Sequence, residues 1–236
     1  MGKSSESGSS KPMLAAVKLS DVDLGQARTL GGAERRLALR LSTAVQRDRF
    51  LAGRIALRLH VARVAGVNPG SLYADYVCGR CSGKDRAHGA PRYRTGTDGL
   101  LVQGSLSRSG DWCLMAAVVD ELVLGVGVDL ECRASAGFEG FVAVAMTAGE
   151  REYVQRLPPS QRPLLQTVLW TRKEAILKAL GRGLSLDPSL VDVAGVLPLL
   201  PGWTSGSGRW VVEDVNPGPL GLPNTGVAAM ALLLDQ

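Results

Sequence analysis

Near the middle of the chain, Leu122 to Glu131 reads LVLGVGVDLE, an apolar run that closes on two acids with one residue between them. A short apolar run bounded by polar turn signals is a core strand. Strand side chains alternate, so Asp129 and Glu131 share one face. Two carboxylates side by side repel unless something positive sits between them. A second constraint comes about forty residues later in WTRKEAILK, Trp170 to Lys178, where a helical stripe of Leu165, Leu169, Ile176 and Leu180 leaves Glu174 and Lys178 together on another face. Taken singly, each motif has an ordinary reading. The first is a strand end in water, and the second is a solvated Glu–Lys helix pair worth a few tenths of a kcal/mol. Taken together, Asp129, Glu131 and Glu174 offer oxygen ligands for a hard cation such as Mg²⁺, although spacing alone does not bring them together.

The rest of the chain supports an α+β fold built from two halves in one chain. Residues 1–12 are polar, Ser/Gly-rich and too poor in apolar surface to order themselves, which predicts a disordered tail. AAVKLSDV then reads as a strand, and Ala33 to Ala65 as helix, with Arg54 and Arg58 on one face. The stretch CGRCSGKDRAHGAPRYR reads as loop. LLVQGSLS, DWCLMAAVV and LVLGVGVDLE read as strands, the last two joined into a hairpin across Asp120 and Glu121. Another helical stretch starts near Phe138. A longer helix follows, with Ser160 as its N-cap, Pro163 in its first turn and Gly181 closing it. RWVVEDV and GVAAMALLLD are the closing strands. No close sequence repeat joins the halves, yet both run strand, helices, antiparallel strands. They divide at 13–119 and 120–236, with a ligand cleft expected between them.

Composition narrows the function classes. Apolar residues make up 45% and charged residues 21% of the 236 positions, as in an ordinary globular protein. The longest apolar runs fall short of the roughly 20 residues that cross a bilayer, and no signal peptide opens the chain. The opening MGKSSE has Glu6 where a myristoylation motif needs Ser or Thr. The expectation is a cytoplasmic protein without a membrane partner. The net charge of +5 rests mostly on arginine, which suits phosphate. Aromatics at 5% are thin for stacking on single-stranded nucleic acid, so no nucleic-acid partner is expected. Cys78, Cys81 and His88 offer half a zinc site. No second half accompanies them, so the four cysteines read as reduced thiols.

VGVDLE, the gap and WTRKEAILK resemble the two-part signature of 4′-phosphopantetheinyl transferases, and the Trp…Lys-Glu-Ala form resembles the single-chain surfactin-synthetase-activating type. FLAGRIALR, HGAPR, SLSRSG and GRGLSL extend the likeness more loosely from about residue 13 to the end. The resemblance implies two pseudo-symmetric α+β subdomains with the active site in the cleft. It implies Mg²⁺-dependent transfer of phosphopantetheine from coenzyme A to a serine of an acyl or peptidyl carrier protein, serving fatty acid, polyketide or non-ribosomal peptide synthesis. Asp129, Glu131 and Glu174 would hold Mg²⁺. Glu174 would also take the serine proton, and Lys178 would contact the pyrophosphate and help the leaving 3′,5′-ADP. Lys173 would assist phosphate binding, Ser107 would lie near the 3′-phosphate, and Arg54, Gly89 and Pro91 would sit at the adenylate end.

Two positions depart from the family pattern. Arg108 stands where the family usually has His. It can bind phosphate, but it stays protonated and so cannot serve as a neutral base. Ala90 stands where a Lys or Arg is usual, and Arg92, two residues on, is the candidate replacement. Two other classes remain open on the residues alone: a non-catalytic coenzyme A or nucleotide-binding protein of the same fold, and a basic nucleic-acid binder.

Overall fold

A computed structural model describes residues 11–78, 88–96, 99–132, 140–203 and 208–235. Two antiparallel sheets organise them. The first contains β1 (Met13–Lys18), β2 (Leu72–Val77), β3 (Ala90–Thr95), β4 (Leu101–Ser109) and β5 (Trp112–Val118), in the order β1-β5-β4-β3-β2. The second contains β6 (Val123–Cys132), β7 (Arg209–Asp214) and β8 (Gly226–Leu234), in the order β6-β8-β7. One long helix packs on each sheet: α2 (Ala44–Ala65) on the first and α5 (Arg162–Ala179) on the second. Shorter helices α1 (Gly32–Leu39), α3 (Phe141–Ala145) and α4 (Ala148–Gln155) flank them. The chain is mixed α+β, and no described helix is long and apolar enough to cross a membrane.

Local chemistry sets the helix ends. The helix expected from Ala33 to Ala65 is two helices, because Thr43 turns its hydroxyl onto the Gln46 N–H at 3.1 Å and starts α2 afresh. A hydroxyl that satisfies an orphan N–H favours a cap over a continuous helix. Gly66, at φ 67°, ends α2 in the left-handed conformation. The predicted cap Ser160 lies instead inside a short 3₁₀ turn, Pro159–Gln161, and α5 begins directly after it at Arg162, with Pro163 in its first turn. Gly181, at φ 65°, closes α5 as expected.

The two apolar runs on either side of Asp120–Glu121 do not form a hairpin. Asp120 accepts the Leu122 N–H at 2.9 Å and turns the chain out of the first sheet. β5 pairs with β1 and β4, while β6 opens the second sheet against β8. The hairpin in this region is β4–β5 instead. The stretch from Ala90 to Arg94, read as loop, belongs to strand β3, with Pro91 and Tyr93 buried on one face.

Alternation along β6 then does two jobs. Val126, Val128 and Leu130 pack with Leu114, Ala116 and Val118 of β5 in the apolar layer between the sheets. Gly125, Gly127, Asp129 and Glu131 take the other face, and there α5 lies directly on the strand. A Cβ on Gly127 would overlap the carbonyl oxygen of Ala175, and one on Gly125 would overlap that of Ala179. Only glycine allows this approach. Leu169, Ile176 and Leu177 of α5 are fully buried, each contributing about 1.5–3 kcal/mol of apolar burial.

Candidate active site

Close seating of α5 on the glycine face brings Glu174 and Lys178 beside Asp129 and Glu131. All four line one cleft of about 460 Å³. Its opposite wall comes from the first half: Phe50 and Arg54 of α2, Gly89 to Pro91 at the start of β3, and Ser105 to Arg108 of β4. The floor at the α5 end is Gly181 and Gly183.

At the carboxylate end, Lys178 Nζ lies 2.6 Å from Asp129 Oδ1 and donates to Ser107 Oγ at 3.0 Å, while Ser107 donates to the same Oδ1 at 2.7 Å. Ser107 thus joins the two halves across the cleft. Beside it, Ser105 Oγ accepts the Val128 N–H at 3.0 Å and locks β4 to β6. Asp129 is 3% exposed, and its second oxygen, Oδ2, is buried with no hydrogen-bond partner. Burial pushes the Glu174 carboxyl up to about 7. Lys178 opposes that push, and the neighbouring charges of Asp129 and Glu131 add to it. Three carboxylates therefore face one lysine, leaving an excess of negative charge and a stranded oxygen. That donor set suits a hard divalent cation. As they stand, no three His, Cys, Asp or Glu side chains among the described residues are gathered closely enough to hold one. The Lys178 ammonium instead occupies one oxygen of Asp129.

The other end of the cleft is cationic. Arg54 lies over the rings of Tyr76 and Phe50, at 4.7 and 5.3 Å. Arg108 donates to the Arg49 carbonyl at 3.0 Å, and its Cδ is 3.0 Å from where a Cβ on Gly53 would stand, so a glycine inside α2 makes room for it. Burial, together with the nearby charges of Arg54 and Arg49, lowers the Arg108 pKa.

Two residues expected at this site lie elsewhere. Lys173 is fully buried behind α5. Its Nζ is 2.5 Å from Glu150 Oε2 and donates to the carbonyls of Ala145 and Pro188 at 2.7 and 2.9 Å, leaving no part of it for phosphate. One residue along a helix turns the side chain by about 100°, which sends Glu174 to the cleft and Lys173 away from it. Arg92 does not line the cleft either. Strand β3 carries it two residues, roughly 6.6 Å, past Ala90. Of the half zinc site, Cys78 and His88 lie among the described residues and Cys81 lies outside them. Sequence reading passed over Ser105, Phe50 and the Gly125/Gly127 seat. Isolated glycines inside a strand pattern were the available signal for that seat.

Strand β6 and helix α5, which carry the three carboxylates and Lys178, fall largely within one segment that matches a family model. Residues 125–196 match the 4′-phosphopantetheinyl transferase superfamily. This segment holds Asp129, Glu131, Glu174 and Lys178, whereas Arg54, Ser107 and Arg108 lie outside it. The chain is 32% identical over 162 residues to 4′-phosphopantetheinyl transferase HetI of Nostoc sp. strain PCC 7120, a match that takes in 67% of this chain and spans 62% of that relative's length. Among solved structures it aligns with a holo-(acyl-carrier-protein) synthase from Bacillus anthracis in complex with CoA (3′,5′-ADP), at 17% identity and a TM-score of 0.40, covering 48% of this chain and 98% of that one. It aligns similarly with holo-[acyl-carrier-protein] synthase of Thermotoga maritima, at 19% identity and a TM-score of 0.38, covering 48% of this chain and 65% of that one.

Proposed function

We propose that this protein is a 4′-phosphopantetheinyl transferase of the single-chain, surfactin-synthetase-activating type. It moves phosphopantetheine from coenzyme A to a serine of an apo carrier protein of fatty acid, polyketide or non-ribosomal peptide synthesis, releasing 3′,5′-ADP. It acts as a monomer whose halves, 13–119 and 120–236, meet at the cleft. The observation that carries this reading is the charge pattern of that cleft: carboxylates and Lys178 supplied by β6 and α5, Arg54 and Arg108 supplied by α2 and β4. Such a cavity fits a substrate with a pyrophosphate at one end and a further phosphate at the other.

Asp129, Glu131 and Glu174 would hold Mg²⁺, and the buried, partnerless Asp129 Oδ2 supports this assignment. The bound ion would supply charge neutralisation at the pyrophosphate. Lys178, released from Asp129, reaches the bridging oxygen that departs with 3′,5′-ADP. The carrier serine Oγ forms a bond to the β-phosphorus as the bond from that phosphorus to the bridging oxygen breaks. The serine proton passes to the Glu174 carboxylate. Arg108 faces the 3′-phosphate, Arg54 with Gly89 and Pro91 borders the adenylate, and Ser107, expected near the 3′-phosphate, is held instead by Asp129 and Lys178 beside the pyrophosphate.

The Lys178–Asp129 contact also fits a second reading, a coenzyme A-binding protein that performs no transfer. One experiment separates the two: incubation with apo carrier proteins, coenzyme A and Mg²⁺, followed by intact mass measurement of each carrier. The expected result is one added phosphopantetheine, lost when a chelator replaces Mg²⁺. Carriers of all types left at their apo mass, with coenzyme A still bound, would establish the second reading instead.

A further inference from the structure

Arg54 and Arg58 sit one turn apart on the same face of α2, yet they do different work. Arg58 is 2% exposed and donates to the carbonyls of Pro69 and Leu72 at 2.8 and 2.9 Å. Arg54 reaches the cleft, and its guanidinium lies 4.7 Å from the centre of the Tyr76 ring and 5.3 Å from that of Phe50. Phe50 is on the same helix, so its ring moves with Arg54. Tyr76 is not. It comes from β2, and something must hold it in place.

That anchor is Glu34. The Tyr76 hydroxyl donates to Glu34 Oε1 at 2.5 Å. Glu34 is 1% exposed, and its other oxygen accepts the Gly31 N–H at 2.9 Å at the start of α1 and lies 3.8 Å from the Arg58 guanidinium. A buried carboxylate with partners on both oxygens is a rigid point. Helix α1, strand β2 and helix α2 are therefore tied at one carboxylate, and the free face of the tyrosine ring becomes a shelf for Arg54.

We propose that Tyr76, anchored by Glu34, is a positioning residue that preorganises Arg54 for the phosphate-bearing adenylate end of the substrate. An arginine on a flexible stem loses rotamer freedom when it orders on a phosphate, and a stacked guanidinium has already lost it. Tyr76 touches no reacting atom, so its effect falls on binding and not on turnover. This inference rests on the cleft being the coenzyme A site.

The test measures the affinity for 3′,5′-ADP by calorimetry and the KM and kcat of transfer for coenzyme A, on the full chain, in Tyr76→Phe, Tyr76→Met, Arg54→Ala and the Arg54→Ala/Tyr76→Met double variant. Tyr76→Phe keeps the ring and loses the anchor, and a roughly twofold rise in Kd and KM is expected. Tyr76→Met loses the ring at similar volume, and a roughly fivefold rise is expected, the order of one cation–π contact, with kcat within about twofold. The double variant should bind no worse than Arg54→Ala alone. Tyr76→Leu repeats the measurement if Tyr76→Met does not fold. Unchanged Kd in the Met or Leu variant, or full additivity in the double variant, overturns the proposal. A parent protein that binds no 3′,5′-ADP overturns the coenzyme A reading itself, so the two failures are distinguishable.

Discussion

Helix α5 supplies the lysines of two acid–lysine pairs that look alike by distance: Asp129–Lys178 at 2.6 Å and Glu150–Lys173 at 2.5 Å. Their surroundings differ. Both partners of the second pair are fully buried, and every contact has a purpose: Lys173 ties down the Ala145 and Pro188 carbonyls, while Glu150 accepts the N–H groups of Val193 and Thr147, each at 2.9 Å. The first pair keeps Lys178 26% exposed on a cleft and leaves Asp129 Oδ2 without a partner. A completed network holds a fold together, and an incomplete one next to a cavity is available to a ligand. Contact distance alone does not separate the two cases.

Removing one charged group from each pair's neighbourhood is the sharpest way to break that contrast. Asp129→Ala or Glu174→Gln should lower transfer to a carrier protein by roughly a thousandfold or more while the circular dichroism spectrum stays that of the parent. Activity near that of the parent in either variant would remove these residues from the chemistry. The opposite pattern is expected at the other pair. Lys173→Met strands the Glu150 charge in the core and should cost about 3–5 kcal/mol of stability in urea unfolding, while the protein that remains folded keeps its kcat. A variant as stable as the parent but inactive would return Lys173 to the active site.

Charge strain at the cleft gives a smaller, pH-dependent effect. Below about pH 4.5 the Glu174 carboxyl is protonated in the folded and unfolded chains alike and contributes nothing. Between 4.5 and about 7 the unfolded chain ionises first, so the folded state progressively loses stability, and above 7 the whole penalty is present. Half-burial limits it to about 1–3 kcal/mol. In the presence of chelator, Glu174→Gln should therefore melt higher than the parent at pH 8 and equally at pH 4. Matching melting curves at both values would show that the carboxylate is not strained. Smallest of all, Arg108→Ala should raise the KM for coenzyme A about tenfold, with kcat nearly unchanged. An unaltered KM would mean that the cationic end does not meet the phosphate.

The residues themselves determined the pieces. Period-two alternation placed Asp129 and Glu131 on one face, four-residue spacing placed Glu174 with Lys178, and Gly181 marked the end of α5; all of these follow from contacts within a few residues. The glycines at 125 and 127 were visible but ambiguous, because what they make room for is a helix about fifty positions away. Tertiary structure decided the rest. It set the second apolar run into a different sheet from the first, turned Lys173 into the core, left Arg92 beyond the cleft and drew Ser107 from β4 across to Asp129. The physical reason is the same in each case: the partner of a strand edge or a buried charge is chosen by close packing between segments distant in sequence, and no local pattern encodes which segment that will be.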